Sequence, residues 1–157
     1  MVEEEGSSGQ IFYSQHVVDE SWRGDLVEFV RYFGLDSVKR NLLVMQCRAS
    51  GRVMGMVWFD EIVPGYLGAI GLFYRKEYRG KASIEATKLA CDYACDVFKY
   101  IRLVGFSPHK HALHHIVSCG WQHVCTVPKM TLINGNPRDI YVAMQDRSML
   151  CQEPLTA

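Results

Sequence analysis

Apolar residues recur along the chain at two different spacings, and the places where the spacing changes outline the elements. Residues 11 to 18 (Ile-Phe-Tyr-Ser-Gln-His-Val-Val) form a short apolar run that predicts a first strand. Trp22, Leu26, Phe29, Val30 and Phe33 then fall at helical spacing up to Gly34, predicting a helix with an aromatic core face. Leu42 to Cys47 and Val53 to Phe59 are β-branched-rich runs separated by Arg48-Ala-Ser-Gly-Arg52, the composition of a tight hairpin. Pro64-Gly65 punctuates before a fourth predicted strand, Tyr66 to Tyr74, whose Gly68 and Gly71 mark a bulge or the close approach of a ligand.

The second half carries the clearest helix. Between Ser83 and Tyr100 the polar residues Glu85, Lys88, Asp92, Asp96 and Lys99 keep to one side, while Ala86, Leu89, Ala90, Tyr93, Ala94 and Val97 line the other. A short apolar run follows, Ile101 to Phe106. Pro108 then opens a helix running to about Cys119, with Gly120 at the position of a C-terminal cap. Val124 to Ile133 and Asp139 to Met144 flank Asn134-Gly-Asn-Pro137, which predicts a second hairpin. The order is β-α-β-β-β-α-β-α-β-β. Because the long helix joins the fourth and fifth strands, those two should be parallel neighbours with a right-handed crossover.

Composition narrows the class. The chain has 157 residues, 48% of them apolar, and equal numbers of basic and acidic residues, 17 each. That length sustains one hydrophobic core without disulfides or a structural metal. We expect a flexible segment over residues 1–10, a single domain over 11–147 and a tail over 148–157. Charge neutrality and a pI near 7 give no electrostatic basis for an extended nucleic-acid or anionic-membrane footprint. The apolar stretch Ile62 to Tyr74 contains Pro64 and three glycines and falls short of the ~20 residues of a membrane span. The first ten residues are acidic and rich in Gly and Ser, unlike a secretory signal, so a cytoplasmic location is expected. The six cysteines include no Cys-x-x-Cys pair and read as free thiols rather than a disulfide framework.

The stretch with the most chemistry is Leu72-Phe-Tyr-Arg-Lys-Glu-Tyr-Arg-Gly-Lys-Ala-Ser-Ile-Glu85, a strand followed by a short basic turn and a helix start. Unpaired N–H groups and the positive end of the helix dipole, flanked by Arg79 and Lys81, suit a phosphate or pyrophosphate. An ordinary surface turn is the plainer alternative. Five of the six histidines (His109, His111, His114, His115, His123) lie near Cys119 and Cys125, and His111, His115 and Cys119 are spaced by four. Such a face could bind metal. The apolar stripe Ala112, Leu113, Ile116 and Val117 points the other way, however, so a solvated histidine face is expected and no metal site is assigned.

The order of elements, the turn Tyr78-Arg79-Gly80-Lys81-Ala82 before a long helix, and the later helix ending at Gly120-Trp121 together resemble the GNAT acyltransferase superfamily over roughly residues 11 to 145. The resemblance implies a GNAT-like mixed, mostly antiparallel seven-stranded sheet, helices on both faces, and a splayed parallel pair formed by the fourth and fifth strands. It implies acetyl-CoA as cosubstrate and an amine, on a small molecule or a protein, as acceptor. The phosphate turn reads Arg79-x-x-Ala82-x-Ile84, so that Arg79, Gly80, Lys81, Ala82, Ser83 and Ile84 would hold the cofactor phosphates. Leu72, Phe73 and Tyr74 would pair with the pantetheine arm. The later helical frame reads His109, Ala112, Ile116, Gly120 and Trp121, with His109 counted among the cofactor residues.

Ala82 and Ile84 replace residues that are mostly glycine in the family. Ile116 stands where the family often has a tyrosine that protonates the departing thiolate, and isoleucine has no proton to give. His115 is the neighbouring candidate for that role. Asp60 and Glu61, after the third predicted strand, are the acidic candidates for the base, and amides near Phe73 would polarise the thioester carbonyl. Loops of this kind also look like those of small phage-encoded members, some of them virion or head-assembly components. That likeness implies a non-enzymatic alternative with protein partners in a virion.

Overall fold

Hairpin turns set the register of the first half of the sheet. The computed structural model describes residues 40–148. Strands β1 (Arg40–Gln46) and β2 (Val53–Val63) pair antiparallel across a turn in which Cys47 N–H donates to the Arg52 carbonyl at 2.8 Å. Gly51 takes φ +67° there, a conformation that costs glycine little. β2 turns at Pro64-Gly65 into β3 (Leu67–Tyr74), again antiparallel. A 3-10 turn over Lys76–Tyr78 leads into α1 (Lys81–Val97), then β4 (Arg102–Ser107), α2 (Lys110–Ser118), β5 (Gln122–Ile133) and β6 (Asn136–Asp146). Asn134 and Gly135, both at positive φ, form the two-residue connection of the β5–β6 hairpin, as Asn-Gly turns do.

The six described strands form one mixed sheet in the order β1-β2-β3-β4-β6-β5. Its one parallel pair is β3–β4, joined through α1 as the crossover predicts. The predicted first strand, residues 11–18, and the helix with Trp22, Phe29 and Phe33 lie outside the described residues, as does Cys151. The other five cysteines are free thiols. No described helix is long and apolar enough to cross a membrane.

The core lies between the centre of the sheet and the two helices. Val57, Phe59, Leu103, Ala94 and Tyr100 are at most 1% exposed. Six consecutive positions of β2, Met54 to Phe59, are buried, so that strand is covered on both faces.

One reading of the pattern is refined here and another corrected. Gly68 stands opposite Glu61, where the register slips between Glu61 and Val63, and Gly71 borders a cavity. A Cβ on Gly71 would fall 2.0 Å from the indole of its cross-strand partner Trp58, and one on Gly68 would fall 2.9 Å from the Tyr100 ring. Both glycines make room for aromatic side chains. The buried face of α1 is also rotated from the expected one. It consists of Ser83, Ala86, Thr87, Ala90, Cys91 and Ala94, whereas Leu89, Tyr93 and Val97 are exposed. Small residues let the helix sit close to the sheet, and that closeness decided the facing more than hydropathy did.

Candidate active site

The parallel pairing of β3 with β4 covers only Leu67–Ala69 against Arg102–Val104. Beyond these residues the two strands part, while each keeps its outer neighbour: β3 stays on β2 and β4 on β6. A cavity of about 390 Å³ opens at the parting, within the range of small-molecule sites. Leu72, Tyr74, Arg79, Ser83, His111 and His115 are among its lining.

Strand geometry settles which atoms of β3 face the opening. The Arg75 amide donates to the Met54 carbonyl of β2 at 2.8 Å. Backbone groups alternate in direction along a strand, so Phe73 turns its own toward β2, and Leu72 and Tyr74 turn theirs toward the parting. The side chains alternate too: Leu72 and Tyr74 line the cavity, while Phe73 is buried outside it. The polarising amides expected near Phe73 therefore belong to its two neighbours.

The turn after β3 brings a cation and a helix start to the same opening. Arg79 Nε donates to the Tyr74 carbonyl at 3.1 Å, folding the side chain back over the strand end. Gly80 caps α1 at φ +110°. Its amide donates to Ser83 Oγ at 3.0 Å, and that hydroxyl donates to the Gly80 carbonyl at 2.9 Å, so Ser83 shapes the helix start. Gly80 and Ile84 line the cavity alongside Arg79 and Ser83; Lys81 and Ala82 lie in the same first turn, outside the lining.

Deeper in, three side chains meet at Thr87, which is fully buried. Its hydroxyl donates to the Ser83 carbonyl at 2.8 Å and contacts Tyr74 Oη at 2.9 Å and His115 Nε2 at 3.1 Å. A hydroxyl has one proton. With that proton given to Ser83, Tyr74 and His115 must both donate to Thr87. The network thus assigns His115 the tautomer with hydrogen on Nε2, leaving a lone pair on Nδ1. Burial, and secondarily His114, lowers the His115 pKa, which keeps the ring neutral and able to accept a proton. Burial raises the Tyr74 pKa, so the phenol stays protonated.

The expected solvated histidine face holds for His111, His114 and His123, which are exposed, and is corrected for His115 and Cys119. His115 is half-buried against α1, and Cys119 is 4% exposed with its Sγ 3.8 Å from the Ile84 carbonyl. Burial pushes the Cys119 thiol up to about 11. Among the described residues no three His, Cys, Asp or Glu side chains gather as a metal site. His109 caps α2 and stacks on His111 with ring centroids 5.1 Å apart. Its pKa falls to about 4, through burial first and then the charge environment of His111 and Arg138.

Asp60 and Glu61 sit elsewhere. β2 runs on to Val63, so both are strand residues, opposite Ala69 and Gly68 where β3 and β4 are still paired. Asp60 is held by two nitrogens of Arg40, at 2.5 and 2.9 Å, and neither carboxylate lines the cavity. Ile116 is buried in the core at 6% exposure and also borders the cavity. Sequence reasoning missed Thr87, and it singled out His111 only as part of a histidine face rather than beside Arg79 in the cavity. Thr87 stands on the small-residue face of α1, four residues after Ser83, and that spacing was its only signal.

Among the described residues, a mixed sheet with one splayed parallel pair, a turn and helix start at the splay, and a hairpin that inserts β6 between β4 and β5 together make the GNAT fold. Solved structures of that fold match the chain. One is a chimera built on the spermidine N-acetyltransferase of Vibrio cholerae, at 15% identity and TM-score 0.73, covering 97% of this chain and 91% of its own. The V. cholerae enzyme in complex with CoA and spermine matches at 15% identity and TM-score 0.73, covering 94% and 86%. The same organism's spermidine/spermine N-acetyltransferase with manganese ions matches at 18% identity and TM-score 0.66, covering 83% and 79%. No family model and no curated protein matches at the sequence level.

Proposed function

We propose that this protein transfers an acyl group, acetyl in the simplest case, from acyl-CoA to the amine of a small molecule. One observation carries the reading: β3 parts from β4 beside the start of α1, with the strand-edge groups turned away from β2, Arg79 and a helix N-terminus all facing one cavity. A thioester ligand with an extended amide-bearing arm and a pyrophosphate matches that sequence of groups. Leu72 and Tyr74, with Phe73 between them, pair with the arm. Arg79, Gly80, Lys81, Ala82, Ser83 and Ile84 form the phosphate turn, and His109 holds the start of α2 beside it. The neighbour solved with CoA and spermine supports an acyl-CoA donor and a small-molecule amine acceptor. The cytoplasm, where acyl-CoA is available, is the location that fits.

The base role passes from Asp60 and Glu61 to His115. The amine nitrogen attacks the thioester carbonyl carbon, a C–N bond forms, and the C–S bond breaks as the thiolate leaves. His115 Nδ1 accepts the proton shed by the amine, and the Tyr74 phenol gives one to the thiolate. Thr87, bonded to both, returns the balance once its hydroxyl hydrogen turns from the Ser83 carbonyl to the Tyr74 oxygen: His115 Nε2 passes its hydrogen to Thr87, whose own goes to Tyr74. The assembly-protein alternative requires Tyr74, Tyr78 or Ile84 to fill the cleft. Tyr74 and Ile84 instead form its walls.

The test is amine-dependent thiol release from acetyl-CoA over a panel of small amines. Wild-type protein should release thiol with at least one class, and Arg79→Glu should raise the acetyl-CoA KM by about tenfold or more, the worth of one charged hydrogen bond. No amine-dependent release, together with no binding of acetyl-CoA, would refute the acyltransferase reading.

A further inference from the structure

We propose that His111 is a phosphate-binding residue of this chain, facing Arg79 at the mouth of the cleft, and that it takes up a proton when a phosphate settles between them. The inference rests on the acyl-CoA reading and adds to it a residue and a proton.

His111 lies in the first turn of α2, is exposed, and lines the same cavity as Arg79, Gly80 and Ser83. Two helices therefore begin at one opening. α1 presents its N-terminal end through Gly80 and Ser83, and α2 presents its own through His111 and Ala112. The Gly80 amide is taken by Ser83 Oγ and the Ala112 amide by the His109 carbonyl, so what each end brings to the opening is the partial positive charge of its helix dipole. The stack on His109 fixes the His111 ring, with the planes 25° apart.

The groups around His111 are cationic or neutral. Arg79 faces it from the turn before α1. His109 lies under it, with a buried Nε2 that makes no hydrogen bond and with Arg138 of β6 nearby. Tyr141 of β6 and His114 and His115 of α2 complete the lining on that side, and no carboxylate lines the cavity among the described residues. Partial desolvation against the cleft wall, and then Arg79, hold the His111 pKa below the usual histidine range. A phosphate between His111 and Arg79 reverses the local sign. It favours the imidazolium and gains a charge-assisted N–H···O bond. Affinity should then rise as pH falls from the His111 pKa in the complex to the lower one in the free protein, and level off outside that window.

The experiment is calorimetric titration of the full chain with dephospho-CoA near pH 6.5, in PIPES and in Bis-Tris. Dephospho-CoA keeps the pyrophosphate but lacks the 3′-phosphate, whose own proton would confuse the count. The difference in heat between the two buffers gives the protons taken up. Wild-type protein and the distant control His123→Gln should each take up about 0.3 to 1 proton per ligand. His111→Gln should lose that uptake and bind about tenfold more weakly. His111→Lys, with a permanent charge, should keep the affinity and lose the uptake. Pantetheine, without phosphates, should bind all four proteins with no proton taken up. Binding of dephospho-CoA with no uptake, or with the same uptake in the Gln and Lys variants, overturns this inference and leaves the acyltransferase reading standing. Failure of both dephospho-CoA and acetyl-CoA to bind overturns the two together.

Discussion

Thr87 connects stability to chemistry in one side chain. It has no exposed surface, and its hydroxyl satisfies the Ser83 carbonyl, the Tyr74 phenol and His115 Nε2. Valine has the same shape without the hydroxyl, so Thr87→Val leaves two donors unpaired. One such group costs roughly 1–3 kcal/mol when buried, so a loss of about 2–4 kcal/mol in urea unfolding is expected, with kcat falling more than the acetyl-CoA KM rises. Thr87→Ser keeps the hydroxyl and should cost only about 1 kcal/mol, for the lost methyl. If Val and Ser behave alike, the hydroxyl network contributes nothing. At this scale the sequence was legible where local rules apply: the Leu72-to-Tyr74 edge and the turn at Arg79 lie where the pattern put them. It was not legible where partners are far apart in the chain. The Arg40 partner of Asp60 is twenty residues away, and the His115 contact with Thr87 spans twenty-eight.

Elements were predicted better than their facing. Each strand predicted from residue 42 onward is present, though β2 and β6 run longer than the apolar runs because strand pairing continues through polar residues such as Asp60 and Arg138. α1 ends at Val97 because Lys99, at φ +63°, turns the chain and sends Tyr100 into the core. Its other end depends on Gly80. The left-handed φ of +110° lets the chain pass from the 3-10 turn into the helix, and a Cβ there meets nothing within 4 Å. Gly80→Ala therefore isolates backbone strain from crowding. It should destabilise the fold by about 1 kcal/mol or more and weaken acetyl-CoA binding further, because relaxing the strain moves the first-turn amides. Equal stability and equal affinity in a thermal and calorimetric comparison would show that the turn tolerates an L-residue and that its geometry does not set the phosphate site.

Over the whole molecule, the cleft collects groups whose protonation the fold suppresses. His109, His111 and His115 all carry pKa values below the ordinary 6.5, each with burial as the first cause. The unfolded chain binds these protons near pH 6.5, and the folded chain binds them only at lower pH, His109 at about 4. Stability is therefore unaffected by these groups above pH 7, where both states are neutral. It declines as pH falls from about 6.5 toward 4, because the unfolded state takes up more protons. Urea midpoints at pH 8, 6 and 5 should follow that decline before the carboxylates begin to titrate, and His109→Gln should flatten it. A midpoint constant from pH 8 to 5 would mean that the three rings are as open to water as free imidazole. The same suppression explains why a ligand matters to this fold. An anion at the cleft mouth favours the proton that the protein alone resists, so a bound CoA phosphate should restore part of the stability lost between pH 6.5 and 5. That gain adds to the ~2.7 kcal/mol that any ligand gives at a hundred times its Kd.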